Sequence, residues 1–316
     1  MDETSLRALL ERAVADEPPA GPIVSRSVEA GVRLRRRRRV RGAVACAAVV
    51  VAAGAAIPVL RTGSRQAPAA GFAVPPTLYV TAAYDGNVTP AGAVTPISVD
   101  TGKVGRPIEA AQSESIISTS DGRMLFVASN VSTWVRPIST VTRTVGPAIK
   151  VGLGPVAMAI TPDGKTLYVI GANINLASGW VTQISVASDK AAPSIQVRAR
   201  PDAIAITPDG KTAYVLCTGT ETRIGDFTGP GTVTPISVAT NTAGRPITVG
   251  REPGTMAITP DGKTLYVSNF GSDTVTPISV ATNTAGRPIP AGREPGAMAI
   301  TPDGKTLYVA DVGSDT

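Results

Sequence analysis

The 316 residues carry 30 Lys+Arg against 24 Asp+Glu, no histidine, two cysteines and only 4% aromatics. The charge excess sits in residues 1–65, with twelve Arg and six acids, whereas the remainder balances at 18 basic and 18 acidic side chains. A neutral large domain lacks the basic footprint that phosphate-backbone binding needs, so nucleic acid is not an expected partner. With no histidine, and with Cys46 and Cys217 far apart, a His-dependent triad, a Cys/His metal cluster and a disulfide framework are all excluded. No cofactor and no metal site is expected.

Residues 1–41 read as a basic cytoplasmic segment. Leu6, Leu9, Leu10 and Val14 fall on one helical face, which Pro18-Pro19 terminates. This short helix either lies against the membrane or docks a cytoplasmic partner. Residues 42–60 are free of charge and, at about 1.5 Å per residue, nearly match a hydrocarbon core of roughly 30 Å. Seven Arg between Arg33 and Arg41 precede them and hold the N-terminal side in the cytoplasm. The expectation is a single-pass transmembrane helix or signal anchor, with the following chain outside the cell membrane. The alternative is secretion after cleavage near Ala53-Gly54-Ala55. Residues 61–76, rich in Ala, Pro, Gly and Ser, read as a flexible linker.

Residues 77–316 repeat. TPDGKTLYV begins at Thr161, Thr259 and Thr301, with TPDGKTAYV at Thr207 and TSDGRMLFV at Thr119. VTPISV begins at Val94, Val233 and Val275, and GRPI at Gly105, Gly244 and Gly286. A period of about forty residues with four strand-like runs marks a propeller blade. In the copy from Arg251 to Gly292, Thr255–Thr259 reads as a first strand and Pro260-Asp261-Gly262 as a turn. Thr264–Ser268, Thr274–Val280 and Arg287–Pro290 follow as further strands. Pro277 is anomalous there, because a third strand has neighbours on both sides. It predicts either a bulge or an N–H position turned off the ladder.

LYVSN at Leu265, TPDGK, ATNT and the G-R-x-P linker resemble the YVTN-repeat β-propeller family, to which YncE-like exported and surface proteins belong. The resemblance covers residues 77–316 and implies an all-β propeller of four-stranded blades. Pro277 and Ser279 depart from its pattern, which usually has an aliphatic residue and an Asp there. Residues 77–110 supply three strands, four full repeats sixteen and the tail two, or about five blades. Propellers of the resembled family are seven-bladed, so a truncated reading frame is expected, a small closed ring being the alternative.

The spacing of the repeats locates a function. Successive TPDG phrases are separated by 46, 52 and 42 residues, while Tyr168 to Val181, Tyr214 to Val233 and Tyr266 to Val275 span 13, 19 and 9. All extra length therefore falls between strands two and three, in Gly171–Gly179 and Thr218–Gly231, on the face opposite the PDGK and ATNT turns. That face is expected to carry Arg200, Asp202, Arg223, Asp226, Phe227, Arg251, Glu252, Arg293 and Glu294 as a mixed-charge ligand surface. Exposed charges of this kind also serve simply as solvated linkers. The recurring Tyr79, Tyr168, Tyr214, Tyr266 and Tyr308 read as packing between blades, and Asp163, Asp209, Asp261 and Asp303 as turn residues. The function expected is a non-catalytic binding or scaffold domain for a protein, glycan or small polar ligand. A lactonase-like or quinoprotein-like enzyme, and a transmembrane sensor signalling through residues 1–41, are the alternatives.

Overall fold

The computed structural model describes residues 51–53, 77–81, 92–110, 115–172, 178–198, 200–223 and 226–313. The predicted helix of residues 6–14, the Arg33–Arg41 run and the linker at 61–76 lie outside them. Apart from Arg223 and Asp226, the strands belong to the compact unit Cys46–Thr222 with Phe227–Thr316.

The first sheet runs β1 (Val51–Ala53), β2 (Thr77–Thr81), β3 (Ala93–Ser98), β4 (Ile108–Glu109). The second has β5 (Ser115–Ser118), β6 (Met124–Ala128), β7 (Trp134–Ser139), β8 (Thr144–Val145) and β9 (Ile149–Lys150). In the third are β10 (Pro155–Ile160), β11 (Thr166–Ala172), β12 (Ser178–Ser185), β13 (Lys190–Ala191) and β14 (Ile195–Arg198). The fourth holds β15 (Pro201–Ile206), β16 (Thr212–Cys217), β19 (Thr232–Ser237), β20 (Thr242–Ala243) and β21 (Ile247–Thr248). A separate two-stranded ribbon, β17 (Thr220–Arg223) with β18 (Asp226–Thr228), falls between β16 and β19 in sequence. The fifth comprises β22 (Pro253–Ile258), β23 (Thr264–Asn269), β24 (Thr274–Ser279), β25 (Thr284–Ala285) and β26 (Ile289–Pro290), and the sixth β27 (Pro295–Ile300) and β28 (Leu307–Asp311). All pairings are antiparallel, and the first strands of successive sheets lie side by side.

Two strand expectations change. Residues 77–110 supply the three strands expected of them, and Val51–Ala53 adds a fourth to their sheet by pairing with Thr77–Thr81. Within the predicted 42–60 helix these three residues are extended; an apolar segment thereby covers a strand edge that would otherwise present unpaired N–H and C=O groups. Among the described residues no helix is long and apolar enough to cross a membrane. The fourth strand is not one run at Arg287–Pro290 but two pieces, β25 and β26, both paired with β24.

Pro277 accounts for that break. The Gly286 amide donates to Pro277 O at 2.7 Å, so the ring nitrogen of Pro277 faces the same neighbour and has no hydrogen to return. The outer strand leaves the ladder there and rejoins at Ile289. The same amide-to-carbonyl bond joins Gly105 to Pro96, Gly146 to Pro137 and Gly244 to Pro235, each at 2.8 Å.

The turns follow the TPDGK phrase. Thr259 Oγ1 donates to Asp261 Oδ1 at 2.6 Å, the Lys263 amide donates to the same oxygen at 3.0 Å, and Gly262 takes the left-handed φ of +71°. The arrangement recurs around Asp121, Asp163, Asp209 and Asp303. As expected, these carboxylates are turn residues.

The core lies between sheets. Leu167 and Val169 pack against Phe126 and Ala128 of the sheet before, while Tyr168 and Ile170 pack against Ala213 and Val215 of the sheet after. Tyr79, Phe126, Tyr168 and Tyr214 are buried, Tyr266 is half-buried and Tyr308 is 65% exposed. Each buried Leu or Val contributes about 1.5–3 kcal/mol.

Candidate functional site

Strand direction puts the TPDGK turns and the loops after the third strands on one face. The loops between second and third strands share the opposite face with the linkers between sheets. Both insertions fall there. The first is partly absorbed by longer strands, since β11 and β12 have seven and eight residues where β23 and β24 have six each. Its anchor is Trp180, whose Nε1 donates to Leu153 O at 2.9 Å. A Cβ on Gly152 or Gly171 would lie 2.3 Å from that indole. The second insertion contains the β17–β18 ribbon; Arg223, Asp226 and Phe227 sit in its backbone, and their side chains lie outside the described residues.

The linker residues are held mainly through their backbones. Arg200, Glu252 and Glu294 adopt left-handed φ of 58°, 47° and 55°, in the repeat position that Gly154 fills with φ 69°. Such a conformation costs a side-chain-bearing residue about 1–2 kcal/mol. It turns each carbonyl toward the end of the neighbouring second strand. Arg200 O accepts from the Thr218 amide at 3.2 Å, Glu252 O from Phe270 at 3.0 Å, and Glu294 O from Val312 at 3.2 Å. Arg251 donates its amide to Ser272 Oγ at 2.7 Å, and its carbonyl accepts from Gly271 at 3.1 Å. Arg293 O accepts from Gly313 at 3.2 Å, and the Glu294 amide donates to Asp273 Oδ1 at 2.8 Å. These Arg-Glu pairs are thus clasps between linker and loop, with the Arg251 and Arg293 residues exposed.

Arg200 and Asp202 do come together. Asp202 occupies the bulge between Pro201 and Ala203, where β15 slips against β16. The Thr218 hydroxyl donates to Arg200 O at 3.5 Å, and both Thr218 and Arg200 act on the Asp202 carboxyl to favour its charged form. Asp202 is exposed as a residue, yet protein crowds it from the sides, and this desolvation raises its carboxyl above the usual range against the opposing pull of Thr218 and Arg200. The equivalent bulge residues in the third, fifth and sixth sheets are Val156, Gly254 and Gly296. Beneath, Cys217 is fully buried and its thiol is pushed up to about 12 by desolvation and by Asp202. It is therefore an inert thiol at neutral pH. Sequence reasoning missed Thr218; the signal was its departure from the repeat, which has Ala172, Phe270 and Val312 at that place. Among the described residues no group of three or more metal-ligating side chains converges.

The family described as "Lactonase, 7-bladed beta-propeller" matches residues 201–316. Hydrazine synthase of Kuenenia stuttgartiensis superimposes with a TM-score of 0.60 at 22% identity, over 74% of this chain and 77% of that one. The fold is a β-propeller. A functionally unknown protein from Desulfotomaculum acetoxidans is similar too, with a TM-score of 0.58 and 19% identity over 69% of each chain. No curated protein matches. At these identities the structural neighbours establish the propeller architecture alone, and the six sheets are its blades.

Proposed function

We propose that this propeller is a non-catalytic binding domain whose ligand surface is the loop face of the fourth blade, centred on Arg200, Asp202 and Thr218. The observation that carries this reading is the grouping of a cation, a carboxyl and a hydroxyl at one blade of that face. The same inner-strand position in three other blades holds Val156, Gly254 and Gly296. A donor fork beside a carboxyl and a hydroxyl suits a hydroxyl-rich or amide-bearing ligand, such as a glycan or peptide. Screening the purified chain on glycan and peptide arrays tests it. Binding should disappear in Arg200→Ala and Asp202→Asn and persist in Lys263→Ala, on the opposite face; binding indifferent to Arg200 and Asp202 would refute it.

A second reading is favoured by the lactonase match, which begins one residue before Asp202, and by the raised carboxyl there. In that reading Asp202 is the general acid or base of a ring-opening hydrolysis. Asp202-dependent turnover of a lactone panel would select it.

We also propose an extracytoplasmic location, supported by the Arg33–Arg41 run ahead of Gly42–Leu60. A membrane span and strand β1 draw on the same Val51–Ala53, so the two exclude each other. Resistance of the chain to alkaline extraction from membranes supports the span; release into the supernatant opposes it.

A further inference from the structure

The second strand of the fifth blade ends in Asn269, fully buried, whose side chain is a three-way tie. Its Oδ1 accepts from the Gly250 amide at 3.0 Å, and its Nδ2 donates to Thr274 Oγ1 at 3.1 Å and Thr276 Oγ1 at 2.8 Å. In the fourth blade the same three positions are Cys217, Thr232 and Thr234. Cys217 pairs directly with Thr232 across the ladder, and Val215 pairs with Thr234. The two threonines are 6% and 3% exposed, and both hydroxyls are buried with no hydrogen-bond partner. Cys217 turns its only donor elsewhere, to Arg198 O at 3.5 Å.

We infer that the space beside Cys217 is a hydration site, in which one internal water bridges Thr232 Oγ1 and Thr234 Oγ1 in the place of the Asn269 carboxamide. Thiol for carboxamide removes two heavy atoms and both amide donors. It leaves two buried hydroxyls, two residues apart on one strand, without partners, and an internal water needs two to four such groups. An unmet pair of buried hydroxyls is costly enough that native interiors satisfy them by water where no side chain does. The third blade supplies a contrast: Gly171 stands in the Asn269 position and Trp180 in that of Thr274, and the buried Thr182 hydroxyl is met by Ser194 Oγ at 2.6 Å, so none is stranded there.

A crystal structure at a resolution that shows internal solvent tests this, with two variants measured beside it. Density within hydrogen-bond distance of both hydroxyls is expected in the unaltered chain and its loss in Cys217→Asn, whose amide takes over the bonds. Cys217→Asn should also raise the thermal midpoint, by about 2–4 °C. Thr234→Val separates water from a dry niche: it lowers the midpoint when a bridging water loses a partner and raises it when the hydroxyl was simply stranded. A niche without density, together with a stabilised Thr234→Val, would overturn the inference.

Discussion

The Tyr214 hydroxyl donates to Asn283 Oδ1 at 2.6 Å, joining the second strand of the fourth blade to the turn after the third strand of the fifth. Asn283 sits at φ 53°, and its repeat equivalents Arg143, Asp189 and Asn241 share that left-handed conformation at 59°, 53° and 50°. Each faces, by repeat position, the aromatic residue of the preceding blade: Tyr79, Phe126 and Tyr168. The register therefore works as a blade-to-blade clip, and its departures are informative. Phe126 has no hydroxyl, and Asp189 Oδ1 is buried without a partner. The Tyr168 hydroxyl accepts from Gln183 Nε2 at 3.1 Å, and Asn241 Oδ1 is likewise unpartnered.

Restoring the missing hydroxyl should restore the clip. Phe126→Tyr is expected to stabilise the chain by about 1 kcal/mol, and to lower the Asp189 carboxyl that desolvation now holds above its usual range. Chemical denaturation with and without the substitution, read at neutral pH, checks it. Destabilisation would show that the two side chains do not meet.

The proline of the third strand and the glycine opposite it form a unit. A Cβ on Gly286 would lie 3.3 Å from Pro277 Cγ, and one on Gly146 2.8 Å from Pro137 Cγ. Only the third blade has Gln183 in place of the proline, and there the opposing residue is Ala192. Gln183→Pro alone should cost about 1–3 kcal/mol through overpacking against Ala192 and loss of the Gln183 bonds to Tyr168 and Val238. Adding Ala192→Gly should recover part of it. A thermodynamic cycle over the four proteins measures the coupling, which is absent if the pair is independent.

Asn269 is a structural latch rather than a ligand. Asn269→Leu leaves the Gly250 amide and two threonine hydroxyls without their partner in the interior and should cost about 2–4 kcal/mol. Urea titration provides the value. Fifth-blade amides near Gly250 should then exchange with solvent faster than those of the third blade.

Acid lability has a defined sign. Thr119, Thr161, Thr207, Thr259 and Thr301 hydroxyls, followed in most turns by a backbone amide, hold Asp121, Asp163, Asp209, Asp261 and Asp303 below their usual value of 3.8. Stability from these five turns is present above 3.8 and lost as pH falls through the lowered values. Asp202 acts oppositely: its raised carboxyl subtracts stability as pH rises from 3.8 through its folded value. Thermal midpoints should therefore drop on the acid side of 3.8. Asp202→Asn should lift the curve only on the alkaline side of that point.

Much of this architecture is legible in the residue string because each blade repeats its solution. TPDGK names its own turn, and a tyrosine needed once per blade could only be packing. Pro277 announced a ladder defect, but whether it fell on the inner or outer neighbour depends on strand registry, which no single phrase contains. The left-handed linker residues were obscured because side chains as different as Arg200 and Glu252 share a place that Gly154 alone advertises. Asp202 was legible as a charge on the loop face; its partner Thr218 was not, since their meeting depends on the bulge after Pro201. Strand β1 was hidden most deeply. Val51–Ala53 reads equally as membrane apolarity or as β-strand, and pairing with Thr77–Thr81 is decided by an edge far along the chain.

The central claim is that the Arg200–Asp202–Thr218 cluster binds and does not catalyse. The most direct measurement is steady-state hydrolysis of a lactone panel by the purified full chain beside Asp202→Asn. The account predicts identical, background rates for the two proteins. Turnover above background that falls by about 10²–10⁴-fold in Asp202→Asn would contradict it and make the carboxyl a general acid or base.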